Sequence, residues 1–149
     1  MRKLAVILAF GAIVMSQALA DEAELERLNA ARERWQSVQG GDYRYGYQRQ
    51  CECYRDGPPV AIVTVRGGRV EDAYYRRSDR EVPAGEENLD LYSTIDELFD
   101  RLVRAIGNDA AVGVEYHATE GYPTSVLIDY DTAFAGDEIE YRLTELEIL

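Results

Sequence analysis

Two cysteines stand one residue apart in the stretch Tyr47-Gln-Arg-Gln-Cys51-Glu-Cys53-Tyr-Arg-Asp-Gly57, and they are the only two in the 149-residue chain. Three chemistries are open to such a pair: a local structural disulfide, a redox couple, or thiols that stay unpaired or bridge to another molecule. In a regular strand, residues i and i+2 point the same way but stand two rises of about 3.3 Å apart. Bridged Cβ atoms want about 3.8 Å. A Cys51–Cys53 bridge therefore needs a bend or bulge, which the following Asp56-Gly57 turn can supply. A ring so small removes little unfolded-state entropy, so it would shape the strand end more than stabilise the fold. The expected state is this local disulfide. The alternative is a small redox protein using the Cys-x-Cys pair, although the Cys-x-x-Cys spacing at a helix start that favours redox work is missing.

Other reactive groups are sparse. A structural zinc site takes about four nitrogen or sulfur ligands, and two cysteines with one histidine fall short. No metal and no cofactor is expected. His117 is the sole histidine; Ser93, Ser125 and many acids accompany it, but there is no Gly-x-Ser-x-Gly elbow. No nucleophile, base and orienting group form a coherent set, so no catalytic residue is assigned and the reading leans away from an enzyme. Asp129, Asp131, Asp137 and Glu138 flank one hairpin loop. Asp129-x-Asp131 with Glu140 mimics positions one, three and twelve of a calcium loop, but Ala133 replaces the fifth ligand and Phe134 the required glycine. This is not an EF-hand. A weak, non-standard calcium site would need Asp129 to point outward with loop carbonyls helping; the alternative is a solvated acidic hairpin. Gly121-Tyr122-Pro123 is a turn with an aromatic in it, and an exposed Tyr122 beside an acidic loop would be a binding hot spot. The candidate interaction surface is therefore Tyr122, Pro123, Asp129, Asp131, Asp137 and Glu138.

Charge narrows the partners. Sixteen basic side chains against 28 acidic ones leave a net charge of −12. Such a surface repels phosphate backbones and anionic lipid heads, so nucleic acid and membrane surfaces are disfavoured, and a basic protein, a peptide or a cation is the better fit. Solubility alone is also served by the same charge. The first twenty residues read as an address: Arg2 and Lys3, then an apolar run from Leu4 to Met15, then the small residues Ala18 and Ala20 around Leu19. This is the pattern of a secretory signal peptide cut before Asp21. The apolar run is shorter than the roughly twenty residues that span hydrocarbon, so no membrane span is expected after cleavage. With no cysteine at the cleavage site, no lipid anchor is expected either. The expected location is periplasmic or extracellular, with residues 21–149 as one exported domain.

The elements that position these groups follow from periodicity. Leu25, Leu28, Ala31, Trp35 and Val38 recur at helical spacing within 21–39, ended by Gly40-Gly41. Tyr43, Tyr45 and Tyr47 alternate as on a strand, with three aromatics on one face. Val60–Val65 is apolar on both faces, as an interior strand would be. Gly67-Gly68 signals a tight hairpin into a strand at 70–75, and 76–90 reads as a long polar loop. Thr94-Ile-Asp-Glu97 is a capping box opening an amphipathic helix through Ile95, Leu98, Phe99, Leu102, Val103 and Ile106, with Gly107 placed as its left-handed cap. Strands follow at 112–116, 124–130 and from Ile139. There the apolar parity shifts at Leu146 and Ile148, which suggests a bulge or a fraying end. The expected fold class is α+β: a single domain with one curved antiparallel sheet of about six strands and two helices on one face.

The run Thr94-Ile-Asp-Glu-Leu-Phe99, then Gly121-Tyr-Pro-Thr-Ser125, Ile128-Asp-Tyr-Asp131 and Asp137-Glu138, after an upstream Tyr-x-Tyr strand and Cys-x-Cys, resembles the bacterial secreted family catalogued as domain of unknown function 6174. The likeness runs from about Trp35 to Leu146. It implies small exported or lipid-anchored proteins and brings no assigned reaction. The family pattern has an acidic residue after the Val-x-Tyr strand, where this chain has His117. The overall expectation is an exported, non-enzymatic binding or interaction module with an acidic surface, its partner an unidentified protein or peptide.

Overall fold

The computed structural model describes the backbone of residues 4–38, 40–50, 59–77, 80–83, 86–134 and 136–149, with side chains from residue 19 onward except 76–88. Cys51 and Cys53, and the disulfide expected between them, lie outside the described residues. The chain opens with one helix, α1 (Leu4–Val38), which runs unbroken through the segment read as a leader into the segment read as the first helix. Seven strands follow: β1 (Tyr43–Gln50), β2 (Ala61–Arg66), β3 (Arg69–Arg77), β4 (Arg80–Pro83), β5 (Ala111–Tyr116), β6 (Pro123–Asp129) and β7 (Glu138–Ile148). Between β4 and β5 come a 3-10 helix (Glu86–Leu91) and helix α2 (Ile95–Gly107).

All strand pairs are antiparallel, in the single order β4-β3-β2-β1-β7-β6-β5. The α+β class and the antiparallel sheet are as the sequence implies. The extra strand is β4, which pairs with β3 inside the stretch read as a loop. It carries no alternating apolar pattern because it is an edge. Four residues long, charged, and ended by Pro83, it suits a position with only one neighbour.

One face of the sheet carries the core. Tyr43, Tyr45 and Tyr47 of β1 pair with Val65, Val63 and Ala61 of β2, and all six are buried. Tyr141, Leu143, Val126 and Ile128 extend the same apolar surface across β7 and β6. Both helices cover it: Leu28, Ala31 and Trp35 of α1 and Leu98, Phe99 and Leu102 of α2 join one hydrophobic cluster with the strands. Trp35 packs edge-on to Tyr43, with ring centroids 5.0 Å apart. The three-tyrosine stripe is thus half of a covered core rather than an open aromatic platform. Arg32 of α1 ties the helices together through Asp100 at 2.7 Å.

Helix α2 starts where three separate contacts fix it. The Glu97 N–H donates to Thr94 Oγ1 and the Thr94 N–H to Glu97 Oε2, closing the capping box. Ile95 N–H, another donor left over at a helix start, goes to the Tyr43 hydroxyl at 2.9 Å. Tyr45 donates its hydroxyl to the Ser93 carbonyl. Two core tyrosines therefore clamp residues 93–95 onto β1. The buried face of α2 takes Ala105 in place of the expected Val103, which is exposed. Gly107 is still helical, and the left-handed residue is Asp109, at φ 59. An Asp accepts that conformation better than most residues, so the left-handed turn falls two positions beyond Gly107.

The parity shift near the C-terminus is a bulge. Gly46 pairs with Thr144 while Arg44 pairs with Glu147, and Glu145 between them has φ 55. Among the described residues, no helix is long and apolar enough to cross a membrane.

Candidate functional site

The β6–β7 hairpin is built by its own aspartates. β6 ends at Asp129, whose Oδ1 accepts from the Asp131 N–H at 3.1 Å. Asp131 repeats the motif, accepting from the Ala133 N–H at 2.9 Å, and its carbonyl accepts from the Phe134 N–H at 2.9 Å. Two successive Asx-type turns therefore shape the tip, the ordinary reason for Asp in such loops. Gly136, at φ 107, brings the chain back toward β7. Asp129 is half-buried, and Asp131, Asp137 and Glu138 are exposed. One carboxylate oxygen each of Asp129 and Asp131 is committed to loop amides. Among the described residues no group of three or more His, Cys, Asp or Glu is arranged to hold a metal ion.

The tip also exposes two large apolar side chains. Phe134 is 68% exposed and Tyr130 48%. Residues 130–137 contain no basic side chain, and the nearest ion pair along β7 is Arg142 with Glu140 at 2.6 Å. The hairpin thus offers aromatic surface framed by carboxylates of Asp131, Asp137 and Glu138 that make no ion pair among the described residues. Burying aromatic area supplies binding energy, and charge at the rim supplies orientation and selectivity. Sequence reading missed Tyr130 and Phe134. Both lie where strand alternation stops, and nothing in a loop's sequence says whether the fold folds back over it.

The other half of the expected surface is elsewhere in kind. Tyr122 is 6% exposed and Pro123 is buried, so the Gly-Tyr-Pro turn presents no aromatic to a partner. Gly121 is the reason. Its backbone presses on α1 so closely that a Cβ there would lie 2.2 Å from the Ala31 carbonyl oxygen, and its φ is +80. With the turn held flat against the helix, Tyr122 slides beneath it, edge-on to Trp35 at 6.3 Å. On its other side it stacks on His117 at 5.0 Å, with the ring planes 9° apart. Burial pushes the Tyr122 hydroxyl's pKa up, and the Glu120 charge adds to this. His117 Nδ1 lies 3.3 Å from the Glu120 N–H and 3.2 Å from Glu120 Oε2. The one histidine is therefore occupied within a structural turn.

β1 and β7 pair at Gln50↔Glu140, and β1 and β2 at Tyr47↔Ala61. β1 therefore ends, and β2 begins, at the same end of the sheet as the β6–β7 hairpin.

The family model described as "Family of unknown function (DUF6174)" matches residues 27–148. No curated protein and no solved structure matches the chain. The chain belongs to the DUF6174 family.

Proposed function

We propose that this DUF6174 member is an exported, non-enzymatic binding module that docks a basic peptide or protein segment on its β6–β7 hairpin. The observation that carries this reading is the pairing of exposed Tyr130 and Phe134 with Asp131, Asp137 and Glu138 on one loop. An aromatic anchor alone is sticky, and a carboxylate cluster alone is solvated. Together they fit a partner that brings both an apolar residue and Lys or Arg. The chain's overall charge of −12 favours the same partner at long range.

Export is part of the proposal: the Arg2-Lys3 start, the apolar run and Ala18-Leu19-Ala20 support a leader removed before Asp21. Intact mass of the protein from a cell-envelope or culture fraction should correspond to a chain beginning at Asp21; a full-length mass would rule that out. Binding is tested with a fluorescent peptide that interleaves Arg with Leu, titrated at about 0.15 M salt to suppress diffuse attraction. The expected result is saturable binding weakened about tenfold or more by Phe134→Ala. Asp131→Asn with Asp137→Asn should weaken it as well, while Glu26→Gln with Glu33→Gln on α1 should not. Equal losses from both acid pairs, with no loss from Phe134→Ala, would reduce the effect to net charge and end the proposal.

A further inference from the structure

A second feature lies apart from the hairpin and has the opposite sign. Between the β2–β3 turn, the 3-10 helix and the outer face of α2 there is an open cleft of about 570 Å³. Arg69, Arg101 and Arg104 line it together with Ser93 and Tyr92. Its position follows from the register. The β2–β3 turn is at the Tyr43↔Val65 end of the sheet, away from the Gln50↔Glu140 end that carries the acidic hairpin. Arg101 and Arg104 are three apart on α2 and so share a helix face, and Arg69 approaches from the hairpin opposite.

Arg101 is held in place before any ligand arrives. Its Nη1 donates to the Tyr141 hydroxyl at 2.5 Å, its Nη2 to Ser93 Oγ at 3.2 Å, and its guanidinium lies over the Tyr141 ring at 5.3 Å. A guanidinium has five N–H donors in a fixed fork, and two of them make these bonds. Arg69 and Arg104 are exposed at the rim and make no ion pair among the described residues. Asp90 and Glu97 are the described carboxylates of the lining. Glu97 is already bound to the Thr94 amide at 2.8 Å, which leaves guanidinium groups as the larger share of available charge.

We infer that this cleft binds a small hydrophilic molecule bearing two or more oxyanion charges. The volume falls within the roughly 300–1,000 Å³ usual for small-molecule sites. Its lining is polar where such sites are mostly apolar, so the ligand it suits is hydrated and charged. Planar guanidinium forks recognise carboxylate and phosphate oxygens in pairs, and the fixed Arg101 saves part of the cost of ordering a long side chain on binding. Polycarboxylates and phosphate esters share this chemistry. In a chain of net charge −12, long-range attraction is absent, so such binding would rest on short-range hydrogen bonds.

The test is calorimetric titration of the whole protein with citrate, glucose 6-phosphate and glucose at about 0.15 M salt. At least one charged probe should bind saturably, one to one, with a Kd of about 1 mM or tighter, and glucose should not. Which charged probe binds tells carboxylate from phosphate ester. Arg69→Gln and Arg104→Gln, at exposed positions that leave the core untouched, should each weaken that binding about fivefold or more. Arg34→Gln, on α1, should leave it unchanged. Arg101 is not substituted because it also supports Tyr141 and Ser93. Absence of saturable binding by both charged probes at about 10 mM would overturn the inference, as would binding that neither cleft variant alters.

Discussion

Two tyrosine-bearing turns sit at the ends of β6, and the fold treats them in opposite ways. At its start, Gly121-Tyr122-Pro123 is pressed under α1, with Tyr122 between Trp35 and His117. At its end, Asp129-Tyr130-Asp131 opens into a loop that leaves Tyr130 and Phe134 in water. Composition does not separate them, since both combine an aromatic with turn-forming residues. What separates them is a helix 90 residues earlier in the chain. Gly121 removes the side chain that would hold α1 off, while the second turn is covered by no element among the described residues and is shaped by aspartates bonding its own amides. An aromatic in a turn is therefore core or contact surface according to what lies over it.

The largest expected effect comes from breaking the covered turn. Gly121→Ala places a Cβ against the Ala31 carbonyl at a positive φ and should cost about 3 kcal/mol or more in chemical denaturation. A cost under about 1 kcal/mol would mean that α1 is not held where the structure has it.

Next in size is an alkaline transition. Burial pushes the Tyr47 hydroxyl up to about 12 from its ordinary 10, and burial raises Tyr43, Tyr45 and Tyr122 in the same sense. Their folded pKa values lie above the unfolded ones. The stability they confer is therefore intact below about pH 10 and is lost as pH rises toward about 12, because the unfolded chain releases protons that the folded chain keeps. The denaturation midpoint should fall over that window, with tyrosinate absorbance of the core appearing together with unfolding. A midpoint that is flat from pH 9 to 11 would contradict the burial of this stripe.

A smaller loss of about 1 kcal/mol is expected for Thr94→Ala, which removes the cap of α2. The smallest effect belongs to the open turn: Phe134→Ser should change stability by no more than about 0.5 kcal/mol, since that side chain is 68% exposed. A large loss there would mean that the hairpin tip packs against something and is not free to bind.

Much of this fold is written in local pattern. The capping box at Thr94, the alternating tyrosines of β1, the doubly apolar β2 and the glycine pair between β2 and β3 each give a strong local signal. The bulge near Glu145 showed as a break in parity. What stayed hidden depends on distant contacts or on weak edges. β4 has one neighbour and no apolar face. The left-handed residue after α2 is an Asp, where glycine is the usual signal. The fate of Tyr122 depends on α1, and the gathering of Arg69, Arg101 and Arg104 needs the β2–β3 hairpin brought beside α2. Of the hairpin proposed to dock a partner, the acids were legible by their density. The aromatics that complete it were not, because loop residues carry no periodicity that reports exposure.

The central claim is that the hairpin, and not the buried turn, meets a basic partner. The most direct measurement is an amide NMR titration of the intact protein with the Arg- and Leu-containing peptide. Saturable shifts concentrated at residues 129–138, and abolished by Phe134→Ala, are the expected result. Shifts spread over acidic residues throughout the molecule, or concentrated at residues 117–123, would contradict it.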